Sequence, residues 1–270
     1  MNDSTSNKNS KPRIALLGPY PPFRGGISRY NFQLHHALSK HAEVKVISFK
    51  RQYPKWLYPG KDDKEPDGKH SNDNNVQYLI DAYSPYSLKK AEKQIRSWGA
   101  DIVLISWWTL FWQPGYAYIA KKLRKNGIKV IYICHNVFDH DSTQLKQSVT
   151  KRFLNQADAY IVHSSEEEKL LSSIYKDKPI LNTKSLPIGD DFQKAKGKLK
   201  KRGRLELLFF GLIRPYKGLD DFIHALQIAN NKDVYATIAG ETWENKAELE
   251  KSINEKNIPN IELHLEYISD

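Results

Sequence analysis

The stretch "FFGLIRPYKG", residues 209–218, decides how this chain is read. An apolar run enters a glycine; an arginine and a lysine then stand three residues apart before a second glycine. One reading is a surface turn with two solvated charges. The other is a phosphate cradle, in which Gly211 begins a tight turn and the Arg214 guanidinium and Lys217 ammonium neutralise a diphosphate without a metal. Pro215 restricts the loop and lowers the entropy lost on binding. The run 205–210 reads as a strand, and Leu219, Phe222, Ile223 and Leu226 mark a helix over 218–230.

Outward from this point the pattern repeats. Downstream come a strand at 234–239, a helix at 244–257 and a strand at 261–265. Upstream, strands at 13–17, 44–48, 76–80, 102–106, 129–134 and 159–164 alternate with helices at 27–40, 87–98, 115–126, 143–156 and 166–175. In the helix at 27–40, Ile27, Tyr30, Leu34 and Leu38 fall on one face. Strands apolar on both faces and separated by helices predict an α/β fold with parallel sheets. Residues 1–11 are a polar tail expected to be disordered, and 55–75 is too polar and too rich in Pro, Gly and Asp to pack. The basic run 194–204 lacks an apolar period and reads as a linker. The expected organisation is a first Rossmann-like domain over 12–193 and the start of a second over 205–270. The second core is thin for an independent domain, so the expectation is a chain truncated within it.

Composition narrows the partners. Of 270 residues, 40% are hydrophobic and 27% charged, as in soluble globular proteins. No apolar run approaches the roughly 20 residues of a spanning helix. One cysteine, Cys134, excludes an intramolecular disulfide, and no signal-peptide pattern is recognised; the expected compartment is the cytoplasm. The net charge of +11 favours an anionic partner, whether nucleic acid, an anionic membrane surface or small phosphorylated ligands.

Ligands of open parallel sheets bind at the carboxyl ends of the strands. After the first strand comes "GPYPPFRGGISRY" (18–30), where Gly25 and Gly26 let the backbone approach a ligand at a helix N-terminus. It is neither a dinucleotide fingerprint nor a Walker loop. After the strand at 129–134 comes "HNVFDHD" (135–141), with His135 at the strand end. Asp139 and Asp141 form a D-x-D pair that can hold a divalent cation or simply cap the next helix. "SWWTLFWQPGY" (106–116) sets three tryptophans beyond another strand, as an acceptor wall or as core.

These residues resemble retaining glycosyltransferases of family 4, which have the GT-B fold: two Rossmann-like domains facing across a cleft. The resemblance runs from about residue 13 to the end. It rests on "PYPPFRGGISRY", "CHNVFDHD", "ADAYIVHSSEEEKLL" (157–171), "LPIGDDF" (186–192) and "FFGLIRPYKGLDDFIHAL". It implies transfer of a hexosyl group from a UDP- or GDP-linked donor to a glycan, lipid-linked or small-molecule acceptor, with retention of configuration and no metal or other cofactor. His135 is then the catalytic-site residue facing the sugar; Arg214, Lys217 and Gly211 bind the donor phosphates. Gly25 and Gly26 lie near donor phosphates or acceptor, and Gly240 allows close approach of the nucleotide. Leu212 stands where the family commonly places its arginine. The family's paired glutamates lie beyond this chain, so activity is expected of the complete protein and not of this segment alone.

Two other readings stay open on the residues. One is a non-catalytic nucleotide- or polyanion-binding module; the other is a metal-dependent transferase using Asp139 and Asp141. Cations spread over many helices argue against nucleic acid as the partner and fit peripheral contact with the anionic inner face of a membrane.

Overall fold

A computed structural model describes residues 11–57, 62–65, 68–138, 143–183, 202–242 and 245–268. The chain divides into two units. One comprises Met1–Leu57 and Asp63–Asp190; the other comprises Tyr58–Asp62 and Asp191–Asp270.

The first unit is built on β1 (Arg13–Leu17), β2 (Glu43–Arg51), β3 (Val76–Asp81), β4 (Ile102–Trp107), β5 (Lys129–Cys134), β6 (Ala159–Val162) and β7 (Ile180–Asn182). All pair in parallel, in the order β3-β2-β1-β4-β5-β6-β7. The order reverses between β1 and β4, which makes their carboxyl ends the switch point where α/β sheets bind ligands. The helices are α1 (Gly26–Ser39), α2 (Pro85–Trp98), α3 (Gln113–Lys125), α4 (Gln144–Leu154) and α5 (Ser165–Ile174).

The strands form because β-branched and leucine runs such as Ile102–Ile105 fit a sheet covered on both faces. One core cluster joins Ala15, Leu17, Ile47, Val103, Ile105 and Tyr132 to α2 and α3. A second joins Leu16, Val46, Leu104 and Ile133 to the partly buried Tyr30, Leu34 and Leu38 of α1. Each fully buried aliphatic side chain contributes about 1.5–3 kcal/mol.

Beside the apolar face of α1, the structure buries polar side chains. Ile27, Tyr30, Leu34 and Leu38 are only partly buried, whereas Ser28, Asn31 and His35 are buried. The cause is a polar network closed by distant residues. The Asn31 carboxamide donates to the Pro19 carbonyl at 2.8 Å and accepts from the Ser106 hydroxyl at 2.8 Å. Gly18 makes room for it: a Cβ there would lie 2.6 Å from the Asn31 amide nitrogen and 2.7 Å from Ser106 Oγ. His35 Nδ1 lies 2.8 Å from the Tyr20 hydroxyl.

The described part of 55–75 also packs, contrary to the expectation of a loop too polar to do so. Phe23 bridges to Lys64, the Tyr78 hydroxyl accepts from the Ser71 amide at 2.9 Å, and His70 stacks on Tyr78 with ring centroids 4.0 Å apart. Tyr78 recruits this polar segment.

The second unit holds β8 (Leu205–Phe210), β9 (Val234–Ala239) and β10 (Ile261–His264), parallel in the order β10-β9-β8, with α6 (Leu219–Ala229) and α7 (Lys246–Asn254). Ile223 and Ile253 from the helices meet Phe209, Ile238, Ile261 and Leu263 on one sheet face. The other face carries Leu208 and Phe210, which are 65% and 67% exposed. Strand β8 is therefore apolar on both faces yet buried on one. The Arg202 guanidinium stacks on Tyr235, 4.1 Å from the ring centroid, and pairs with Glu262. The rest of the basic run expected as a linker, 194–201, lies outside the described residues.

Candidate functional site

The turn that follows β8 forms around two close backbone approaches. Gly211 takes φ 125° and Gly240, at the end of β9, φ 151°. A Cβ on Gly240 would lie 1.8 Å from the Gly211 carbonyl oxygen. Only glycine fits there, because the turns after β8 and β9 are laced together. Gly211 donates to the Ala239 carbonyl at 3.0 Å, and Ile213 donates to that of Glu241 at 3.0 Å. The close approach that Gly240 permits is thus that of the protein's own backbone.

Beyond this lacing, Pro215–Lys217 form a single 3-10 turn, and Gly218 in the left-handed region (φ 78°) starts α6. The turn brings Arg214 and Lys217 both against Tyr216. Arg214 Nη1 lies 3.4 Å from the Tyr216 hydroxyl, and Lys217 Nζ lies 5.4 Å from the ring centroid. Gly211, Leu212, Arg214, Tyr216 and Lys217 line a cavity of about 350 Å³ with Phe209 and Phe210. That volume lies within the range of small-molecule sites. The first turn of α6 carries Asp220 and Asp221, so its N-terminal dipole is already answered by carboxylates. The attraction for an anion comes from the two side-chain cations.

In the first unit the loop after β1 runs into α1 through Gly25, at φ 102°. No side chain caps α1, and its first turn holds no acidic residue. Helices α2 and α3 likewise lack a side-chain cap and a first-turn acid, whereas α4, α5 and α7 are capped by Thr143, Ser164 and Asn245. The first-turn N–H groups of α1 have no intrahelical acceptor. A small cavity of about 130 Å³ opens there, lined among others by Gly25, Gly26, Ser28, Gln52 and Trp108.

His135 stands at the end of β5, its amide donating to the Trp107 carbonyl at 2.9 Å. Its ring meets Tyr30 edge-on at 4.8 Å and His163, beyond β6, at 5.5 Å between centroids. Tyr30 also packs on His163, at 5.1 Å. Burial, with the neighbouring His163 second, lowers the His135 pKa to about 3. The imidazole is therefore neutral at pH 7 and suits hydrogen bonding to a hydroxyl better than carrying a proton. Its Nε2 is buried with no hydrogen-bond partner among the described residues. His163 Nδ1 lies 3.3 Å from the Thr183 carbonyl. Glu167 accepts from the Val137 amide at 3.0 Å, and burial raises its pKa.

Gly25, Gly26 and His135 fall in the first unit, and Gly211, Arg214, Lys217 and Gly240 in the second. Asp139 and Asp141 lie outside the described residues, and no group of three or more metal-ligating side chains occurs among those described. The tryptophans divide: Trp107 and Trp112 are core, while Trp108 is half-buried on the small cavity. Ser28, Gln52 and His163 were not legible as site residues, since their neighbours are distant in sequence. Trp108 alone carried a signal, in the repeated tryptophans after a strand.

The fold recurs in solved glycosyltransferases of the GT-B class. The catalytic domain of Starch Synthase IV from Arabidopsis thaliana, bound to ADP and acarbose, superposes with a TM-score of 0.61 at 14% identity, covering 97% of this chain and 75% of that one. The lipopolysaccharide outer core galactosyltransferase WaaB, in its apo form, gives 0.60 at 12% identity, covering 95% and 68%. An alpha-glucosyltransferase in complex with UDP and a 13-mer DNA gives 0.57 at 14% identity, covering 96% and 68%. At such identities the likeness is one of fold. No curated protein sequence matches the chain. A Glycosyltransferase Family 4 model matches residues 24–180. That match spans more than half of the chain, and the protein belongs to Glycosyltransferase Family 4.

Proposed function

We propose that this protein transfers a hexosyl group from a UDP- or GDP-linked donor to a carbohydrate or lipid-linked acceptor, with retention of anomeric configuration and without a metal. The observation that carries the reading is the turn after β8, where Arg214 and Lys217 border a 350 Å³ cavity. A guanidinium and an ammonium at that spacing stabilise a diphosphate as it gathers charge on leaving. They supply the compensation that a divalent cation gives elsewhere.

His135 has the role of a neutral partner to a donor-sugar hydroxyl, which its depressed pKa suits. The proposed place of work is the cytoplasmic face of a membrane, reached by peripheral contact. The net charge of +11 supports this, as do Lys89, Lys90 and Lys93 on the exposed face of α2. No helix among the described residues is long and apolar enough to cross a membrane. A carbohydrate rather than a nucleic-acid acceptor is proposed because the cations are dispersed over several helices.

The test is a donor screen of the complete protein by proton NMR, with UDP- and GDP-hexoses and excess EDTA. The reading expects consumption of one donor class and a product anomer matching the donor's. Turnover that needs an added divalent ion, or an inverted anomer, would contradict it.

A further inference from the structure

The positive charge of the chain is gathered on one face of the first unit. The connections that carry α2, α3 and α4 all run the same way along the sheet, whereas the β1-to-β2 connection through α1 runs the opposite way. Right-handed crossovers therefore lay the three helices on one face and α1 on the other. The core clusters agree: one takes Ala91, Tyr116 and Leu154 from α2, α3 and α4, and the other takes Tyr30 and Leu34 from α1. Helix α3 packs on α2 and on α4, and the Thr150 hydroxyl of α4 donates to Gln113 Oε1 of α3 at 2.9 Å. Helices packed side by side stand roughly 8–10 Å apart, so three of them make a broad face.

Together these helices carry eleven lysines and arginines, all exposed, and one acid. The acid, Glu92, is buried and pairs with Arg96 at 2.8 Å; Asp158, from the β5–β6 connection, pairs with Arg124 at 2.9 Å. Both arginines stand in the last turns of their helices, away from the helix starts. The three helices thus contribute +10 of the chain's +11, while α5 and α6 are net negative. The amino ends of the same helices carry exposed apolar side chains. Tyr86 is 71% and Leu145 76% exposed, and Phe111, in the turn leading into α3, is exposed as well. Trp56, 79% exposed, adjoins this edge, since the amide of Lys55 beside it donates to the Tyr83 hydroxyl at 3.1 Å. One arrangement occurs on two helices. On α2, Tyr86 is followed by Lys89, Lys90 and Lys93; on α3, Tyr118 is followed by Lys121, Lys122 and Lys125. In both, an exposed aromatic ring precedes ammonium groups at i+3, i+4 and i+7, which share its side of the helix.

We propose that the face formed by α2, α3 and α4 is a docking surface for a bilayer with anionic headgroups. Its aromatic edge enters the interfacial zone, where Trp and Tyr rings are favoured. The lysines behind it meet lipid phosphates, their stems lying along the apolar edge. A nucleic-acid duplex would use the cations and leave the apolar edge in water; a bilayer uses both. This rests on the membrane part of the proposed function, to which it adds the surface and the lipid class, and it does not depend on the donor chemistry.

The experiment is co-sedimentation of the 270-residue chain with vesicles of phosphatidylcholine alone or with about a third phosphatidylglycerol, at moderate salt. The anionic vesicles should bind at least tenfold more tightly than the neutral ones. Lys89→Glu, Lys90→Glu and Lys121→Glu together should weaken that binding a hundredfold or more, since each near-surface cation contributes roughly fivefold. A control with the same change in net charge, Lys40→Glu, Lys232→Glu and Lys256→Glu, alters exposed lysines outside these helices and should lose far less. Trp56→Ser with Tyr86→Ser keeps every charge and should weaken binding about tenfold. Equal binding to both vesicles, an equal loss in the control triple, or no loss in the Trp56/Tyr86 pair would overturn the proposal. So would tighter binding of a random duplex oligonucleotide at the same salt, or a lipid-free dimer that the first triple dissolves. UDP and GDP are titrated into the same proteins, and the first triple should leave their binding unchanged. If nucleotide binds and anionic vesicles do not, this proposal fails alone; if vesicles bind and nucleotide does not, the transferase reading fails alone.

Discussion

The turns after β1 and β8 open the two units in the same place and present positive potential by different means. After β1 the helix end is bare: Gly25 replaces a capping side chain, and no carboxylate stands in the first turn of α1. After β8 the helix end is occupied by Asp220 and Asp221, and Arg214 and Lys217 on the preceding turn carry the positive charge. Backbone N–H groups attract a charge weakly but fix its direction. Long cationic side chains attract it more strongly and follow it as it moves. The second property is the one that the proposed function asks of the turn after β8, where a leaving diphosphate gathers charge.

Breaking the backbone of the second turn should have the largest effect. Gly240→Ala puts a methyl group 1.8 Å from the Gly211 carbonyl oxygen at a φ of 151°. It should destabilise the second unit by on the order of 3 kcal/mol, read as a lower urea midpoint. Gly25→Ala sharpens the comparison, because nothing lies within 4 Å of the added methyl. Its cost is backbone strain alone at φ 102°, roughly 1–2 kcal/mol. An equal loss in both variants would show that the lacing of the β8 and β9 turns contributes nothing.

Acid separates the units as well. The folded His135 pKa of about 3 lies below its ordinary 6.5. Between those values the unfolded chain binds a proton that the folded chain does not, so stability falls as pH drops through this window and is unaffected above it. A His135→Phe variant should lose less stability than the wild type between pH 6 and 4, measured by urea titration.

Moving a carboxylate from one helix end to the other is the smallest change. Asp220→Asn should tighten UDP or GDP binding a few-fold, by the roughly 0.3–1 kcal/mol that a charge interacts with a helix end. Ile27→Asp, at the start of α1, should leave nucleotide affinity unchanged. Calorimetry on both variants reads the pair; equal effects on nucleotide would place both helix ends at the same ligand.

Most of the fold was legible because parallel strands are continuous apolar runs, and 13–17, 102–106 and 129–134 are such runs. β7 was missed: Ile180–Asn182 is three residues at a sheet edge, too short to show a period. The apolar face of α1 was legible, but the burial of Asn31 and His35 beside it was not, because they become core only through Ser106 and Tyr20. Strand β8 showed the converse, since a double-faced apolar run says what could be buried and not what covers it. Within the candidate site, glycines and cations in one turn were visible as a motif. Gly240 was visible as a glycine but not for the Gly211 carbonyl it accommodates, and Ser28, Gln52 and His163 needed the folded sheet to become neighbours.

The central claim is that the "FFGLIRPYKG" turn holds a nucleotide diphosphate by its two cations. Isothermal titration of UDP and GDP into the wild type and Lys217→Ala, in EDTA, tests it most directly. Metal-independent binding of one nucleotide is expected, weakening roughly ten- to a hundred-fold in the variant, as the loss of a charged hydrogen bond of about 1.5–3 kcal/mol requires. Undiminished binding in Lys217→Ala, or binding that appears only with magnesium, would contradict it.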